Sequence, residues 1–242
     1  MIISDLFRIL LWQPLFNLLI LFYSILPGHD FGIAIIALTI LVRVILWPWQ
    51  KKAIYSQIVL QKIQPKLKEI QKKYKNNKEK LGEELLKLTK SQKVNPFFGT
   101  FVTLVQLPIL IALYRVFGGG LNEENFVYLY SFIRRPANLD PSFLGIVDLS
   151  QPNTILAVIL GILLFFQQKF LIQAPKPKKG FANLFQTQML YFMPIFTVLI
   201  FLRVPSALAL YLIISTLFGV LQQKIVKKEI EEDEKRGNET TD

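Results

Sequence analysis

The apolar residues of this chain come in long blocks, and that limits its fold more than any other feature. Several blocks approach the ~20 residues a helix needs to cross about 30 Å of hydrocarbon. Runs so long and so continuously apolar do not suit barrel strands, which alternate. The pattern predicts an all-α integral membrane protein. Its expected form is a five-span helical bundle with an N-terminal interfacial amphipathic helix and a cytoplasmic helical hairpin.

Along the chain, residues 1–30 form an N-terminal helix and turn. In "LFRILLWQPLFNLLILFYSIL" Pro14 suits a first helical turn after Gln13. Pro14 to Leu26 is too short to span, and Gln13, Asn17 and Ser24 fall near one helical face. The expectation is a helix lying in the interface, anchored by Trp12; an uncleaved N-terminal span is the alternative. No small-residue cleavage site follows. The first confident span is 31–49, closed by Trp47 and Trp49. Residues 50–95 then hold thirteen lysines and four acids. Ile54, Ile58, Ile63, Leu67, Ile70 and Tyr74 keep a helical period, Asn76-Asn77 breaks it, and Leu81, Leu85 and Leu88 resume it. This reads as an antiparallel helical hairpin in water, kinked at Pro65. Four more spans are expected at 96–117, 153–173, 184–202 and 206–226. They are joined by an extracytoplasmic loop (118–152), a basic cytoplasmic loop (174–183) and a tight turn at Arg203-Val204-Pro205-Ser206. A charged tail, 227–242, is expected to be disordered.

The net charge is +11, which in a soluble protein would suggest nucleic acid. Here the lysines cluster between apolar runs, so their meaning is topological and DNA is not an expected partner. Loops 50–95 and 174–183 are strongly basic and loop 118–152 is nearly neutral. The positive-inside rule therefore places the basic loops and the C-terminus in the cytoplasm, and His29 outside. The chain has no cysteine, which excludes disulfides and thiolate chemistry. Its one histidine, His29, lies in a Pro-Gly turn. There is no P-loop, no zinc-protease helix and no Ser-His-Asp set. We expect no enzyme activity, no cofactor, no metal and no catalytic residue.

The stretch "ALTILVRVILWPW" carries a permanent charge, Arg43, twelve residues into its span. At 1.5 Å per residue that is roughly 18 Å from the outer end. Such a charge costs about 2.5–3.5 kcal/mol on insertion scales. Snorkelling towards the interface marked by Trp47 is one reading. The other is that Arg43 faces a water-filled cavity within the bundle. Thr39 lies one turn earlier on the same face. Other spans also carry polar groups at depth: Thr103 and Gln106, Gln167 and Gln168, Ser215 and Thr216. Serine and threonine serve also as helix–helix glue, but Gln106 is harder to dismiss. No acid lies inside any span, so a proton-coupled transporter lacks its usual coupling group. A small solute transporter or channel, or a scaffold for other membrane proteins, are the rival functions. Neither an internal repeat nor a conduit open to both sides is visible.

Several stretches taken together are specific: "QPLFNLLILFYSILPGHDFGIAIIALTILVRVILWP", "QPKLKEIQKKY", "KVNPFFGTFVTLVQLPILIALYRVF", "FFQQK" and "QTQMLYFMPIFTVLIFLRVPSALALYLIISTLFGVLQQ". In these the chain resembles the YidC/Oxa/Alb membrane protein insertases, their bacterial YidC branch most closely, across most of residues 13–224. The resemblance implies a membrane insertase and chaperone. Its groove is open to the cytoplasm and lipid and closed outside, and an arginine there receives hydrophilic parts of a nascent substrate. By motif that arginine is Arg43, with Thr39 beside it. Gln106 of "VQLPI", and Tyr211 and Ser215 of "PSALALYLIIS", match groove positions. Thr103, Gln168 and Thr216 are further candidates. The implied partners are nascent membrane proteins and the lipid bilayer, with a Sec-type translocon and the ribosome as candidate additions.

The chain also departs from the family. Only a short turn precedes the first core span, where Gram-negative members carry a large periplasmic domain. From Lys224 onward there are five basic and seven acidic residues, so ribosome docking through the tail is not expected. Leu212 stands where some members have a second tyrosine. These features suggest a minimal bacterial form.

Overall fold

The structure is a computed structural model. It describes residues 2–92, 94–95, 97–119, 123–136, 138–171 and 181–239. Of the expected basic loop at 174–183, residues 174–180 lie outside the described residues and 181–183 are helical; Pro96 at the head of the second span, Gly120 of the glycine triplet and the last three tail residues also lie outside them.

Ten α-helices, a π-type turn, a 3-10 turn (Glu123–Tyr128) and one two-residue β-ladder account for the described fold. α1 (Ile2–Phe7) runs through a π-type turn (Arg8–Trp12) into α2 (Gln13–Ile25). The turn has a local cause. Pro14 has no N–H to donate back along the helix, and its ring crowds the carbonyl four residues earlier. The helix therefore widens just before it, and the Gln13 N–H bonds the carbonyl of Arg8. α3 (Phe31–Ile45) ends one residue before α4 (Trp47–Lys62), whose first turn carries Pro48. α4 ends at Lys62, and after Ile63 the chain continues as α5 (Gln64–Lys73), with Pro65 in its first turn. Asn77 caps α6 (Lys78–Ser91) by accepting from the Lys80 N–H at 3.0 Å. α7 (Phe98–Gly118), α8 (Thr154–Leu171), α9 (Phe181–Phe201) and α10 (Ser206–Glu239) follow.

Three of these segments are long and apolar enough to cross a membrane: Asp5–Ile25, Phe98–Gly118 and Ser206–Asp233. A fourth is the interrupted pair α3 plus α4. Thr154–Lys169 and Tyr191–Phe201 are shorter apolar helices. α7 leaves Phe101, Leu104, Leu107, Ile111 and Tyr114 exposed, and α9 leaves Ile195, Phe196 and Leu199 exposed. Helices apolar on their outer faces, with their backbone bonds closed internally, are what hydrocarbon solvent selects. The chain is an all-α membrane protein.

Two compact units divide the chain. The first comprises residues 1–45 and 106–219. Its core holds Phe16, Leu19, Ile20, Phe31, Ile35, Leu38, Leu113 and Tyr211, all nearly inaccessible. α8 packs on α9, and the backbones approach at Gly161, where any side chain would strike Val198. Polar groups of the helices hold the loop segments 123–136 and 138–153. Asn17 donates to the Gln13 and Tyr128 carbonyls at 2.8 and 3.0 Å and accepts from the Tyr130 N–H at 2.7 Å. Gln13 also donates to the Tyr128 carbonyl, at 3.0 Å. Asp30 caps α3 through the Ile33 N–H and reaches the Leu144 N–H. That residue lies in the hairpin between β1 (Ser142–Phe143) and β2 (Val147–Asp148). Gly32 has no room for a side chain because Phe143 lies against it. The head of α10 joins the same loop, with the Ser206 and Ala207 N–H groups donating to Gln151 and Leu149.

The second unit comprises residues 46–105 and 220–242. In it α10 continues well past residue 226. Helix extends to Glu239, which corrects the expected disordered tail. The reason is readable in the residues. Val226 and Ile230 are buried and four apart on one face. Lys227–Glu231 and Lys228–Glu232 are paired at i,i+4. Glu229 also meets Lys51 of α4 at 2.8 Å.

Candidate functional site

The polar residues singled out in the spans lie on α3, α7, α8 and α10. Four of them are joined in two pairs within the first unit. The Arg43 Nε donates to Ser215 Oγ at 2.7 Å, and Arg43 Nη2 bonds the same hydroxyl. The Gln106 Nε2 donates to the Tyr211 hydroxyl at 2.7 Å. Tyr211 and Ser215 are one helical turn apart on α10, both 1% exposed. The helical period therefore stacks the two bonds on one face of α10. Sequence separations of 172 and 105 residues are closed by these contacts, so a single cation and three uncharged polar groups converge from three helices.

The remaining candidates are placed differently. Thr39 is fully buried one turn before Arg43 and satisfies itself by donating to the Ile35 carbonyl at 2.6 Å. Thr216 is 5% exposed and adjoins Ser215. Gln168 is half-buried on α8. Its neighbour Gln167 lies against Gly219 of α10, where its amide nitrogen would crowd any added Cβ. Thr103 belongs to the second unit. It is exposed and bonds the Gly99 carbonyl of its own helix, so it is not joined to the other candidates.

Physically, arginine presents a planar fork of five N–H donors, and Arg43 sets that fork against the Ser215 hydroxyl of α10. Tyr211 accepts from Gln106, and its hydroxyl is also within hydrogen-bonding reach of Ser215, which links the two pairs. Such a set can solvate polar or acidic groups brought next to it; it contains no nucleophile–base pair for covalent catalysis. Among the described residues no group of three or more histidine, cysteine, aspartate or glutamate side chains could hold a metal.

Two features of the structure are not among the sequence expectations. One is the role of Asn17 as the tie between α2 and the loop; its place on a polar face beside Gln13 was the available signal. The other is Gln222, 2% exposed, whose side-chain amide has no hydrogen-bond partner. It falls in "VLQQ", and nothing in the local pattern distinguishes it from its neighbour Gln223.

Comparison with known proteins bears on what such a set is for. The family model described as 60Kd inner membrane protein matches residues 21–234. The chain is similar to the "Membrane protein insertase YidC" of Syntrophobacter fumaroxidans, with 33% identity over 222 residues, covering 89% of this chain and 37% of that protein. The protein of the same name from Buchnera aphidicola subsp. Baizongia pistaciae is 36% identical over 218 residues, 89% of this chain and 37% of its own length. That of Shewanella halifaxensis is 34% identical over 215 residues, 88% and 36%. The chain thus spans little more than a third of the length of these curated relatives.

Proposed function

Because this chain belongs to the 60Kd inner membrane protein family, we propose that it is a membrane protein insertase and chaperone. It receives nascent membrane proteins in a hydrophilic groove around Arg43 and releases their spans into the bilayer. It is a multi-pass protein of the bacterial inner membrane. The observation that carries the reading is the joined set Arg43–Ser215 and Gln106–Tyr211, set in helices whose outer faces are apolar. Thr39, Thr216 and Gln168 extend the same lining.

In this reading α3, α7, α8, α9 and α10 are the five spans, with the C-terminus in the cytoplasm. The helix Ile2–Ile25 lies along the outer face. Its support is that both of its ends touch one and the same loop region: Arg8 stacks on Tyr128, and the Asp140 N–H bonds the Tyr23 hydroxyl. From Phe7 to Tyr23 a helix rises about 24 Å. A spanning helix would leave its two ends on opposite sides of the membrane, far from a common loop. The same loop ties the heads of α3 and α10 together, which suits a groove sealed on that side.

No covalent step is required. A polar segment entering hydrocarbon meets a barrier of several kcal/mol per unsatisfied group. A wet groove with one cation shortens the hydrocarbon path and attracts acidic residues of the translocated tail. Burial of the substrate's apolar span, at about 25 cal/mol per Å², then draws it into lipid. A Sec-type translocon and the ribosome are candidate partners of this process.

The test is depletion of the chain from cells whose other insertases are absent, followed by protease mapping of newly made membrane proteins. Small proteins with short translocated tails should lose their protected fragments and regain them on re-expression. Normal insertion in depleted cells would reject the function.

A further inference from the structure

Where α1, the π-type turn, the end of α7 and the turn Glu123–Tyr128 meet, the first unit holds an open cavity of about 430 Å³. Its lining includes Asp5, Arg8, Trp12, Arg115, Asn125 and Tyr128, none of which belongs to the Arg43 set. Each arginine has its guanidinium over an aromatic ring. Arg8 lies 5.2 Å from the centroid of Tyr128, and Arg115 lies 5.2 Å from that of Phe7. Stacking of this kind uses the face of the guanidinium and leaves its N–H edge for a ligand. Among the described lining residues Asp5 is the only carboxylate, 3.1 Å from Arg8. The lining therefore sums to one positive charge, with two planar forks suited to phosphate oxygens. Beside the cavity on the same helix, Leu6, Ile9 and Leu10 are 54–62% exposed. In water such a patch would be costly; against acyl chains it is not.

We propose that this cavity is a binding site for the phosphodiester headgroup of an anionic phospholipid of the outer leaflet. Arg8 and Arg115 grip the phosphate while Leu6, Ile9 and Leu10 lie among the acyl chains. The volume fits a headgroup-sized ligand, and the single net charge matches a phosphodiester better than a dianion. The site lies outside the substrate groove, and only its assignment to the outer leaflet rests on the proposed topology. A bound lipid would hold the N-terminal helix against the end of α7.

The experiment uses the full chain in mixed micelles, titrated with phosphatidylglycerol, phosphatidylcholine, soluble glycerophosphoglycerol or inorganic phosphate. Bound lipid is counted by native mass spectrometry, and thermal unfolding is followed alongside. The wild type should retain one phosphatidylglycerol and gain thermal stability from it. R8Q/R115Q should bind it roughly tenfold more weakly, the loss expected for charge-assisted contacts. Its unfolding temperature in phosphatidylcholine should equal that of the wild type, which shows that it folds. R203Q, which removes an exposed charge in the turn before α10, should bind as the wild type does. Equal retention by R8Q/R115Q and wild type, or equal retention of phosphatidylcholine, would overturn the site. Full stabilisation by inorganic phosphate or glycerophosphoglycerol alone would overturn the lipid as its ligand. A failed insertion assay with intact lipid binding would reject the proposed function and leave this site standing.

Discussion

Removing the Asn17 side chain should loosen the outer end of the first unit. The side chain is 1% exposed and makes three hydrogen bonds, to the Gln13 carbonyl, the Tyr128 carbonyl and the Tyr130 N–H. In Asn17→Ala the Tyr128 carbonyl keeps the Gln13 amide, but the Tyr130 N–H loses its acceptor. The Tyr130 bond is part-buried, so a donor left unpaired there costs towards the lower end of about 1–3 kcal/mol, and the vacated space adds to it. We expect a loss of about 2–4 kcal/mol, or roughly 30- to 1000-fold in the unfolding equilibrium. Asn17→Leu refills the volume but strands the same groups, so it should rescue little. Asn17→Asp keeps an acceptor for Tyr130 yet turns a carboxylate towards two carbonyls, and should be the worst of the three. The assay is thermal unfolding of the purified chain in mild detergent, with hydrogen exchange read at Tyr130. If Asn17→Ala stays within ~0.5 kcal/mol of the parent and Tyr130 keeps its protection, the loop is not held by this residue and the reasoning fails.

Two further predictions concern the tail and the topology. Truncation after Glu231 should leave stability and insertion near the parental level, because Val226, Ile230 and the Lys51–Glu229 contact remain. Truncation after Ile225 removes all three and should expose the α4 region to limited proteolysis; equal resistance of the two forms would show that α10 does not support it. Single cysteines at Lys73 and Lys228 should be shielded from an impermeant thiol reagent in intact cells, and one at Asn138 should react. Labelling at Lys73 from outside would overturn the orientation.

How much of this was legible in the residues follows from what each pattern reports. Hydropathy and helical period act within one segment, so the apolar runs, the helix break at Asn76-Asn77 and the polar face of Gln13 and Asn17 could be read directly. Partners across the fold could not. That Arg43 meets Ser215, and Gln106 meets Tyr211, depends on how helices far apart in the chain are packed, and no local period encodes it. Thr103 shows the converse. It lies about one turn from Gln106 in sequence yet bonds its own backbone, as threonine readily does in a helix. The tail misled because charge density suggests disorder, while its i,i+4 pairs and the Val226–Ile230 stripe favour helix. Pro65 marked a kink, but Pro14 produced the less obvious effect, a widened turn upstream of itself.

The central claim is that Arg43 makes the groove wet and positive at some cost to stability. The direct measurement is insertion into vesicles carrying the purified chain, comparing Arg43→Leu with the parent on two single-span substrates that differ only in an acidic or a neutral translocated tail. Arg43→Leu removes a charge worth about 2.5–3.5 kcal/mol against burial in hydrocarbon, so the protein should still fold and resist heat at least as well. Insertion of the acidic tail should fall sharply and that of the neutral tail much less, and Arg43→Lys should retain most activity. Parental rates for both tails with Arg43→Leu would contradict the account, leaving the cation without a function in the groove.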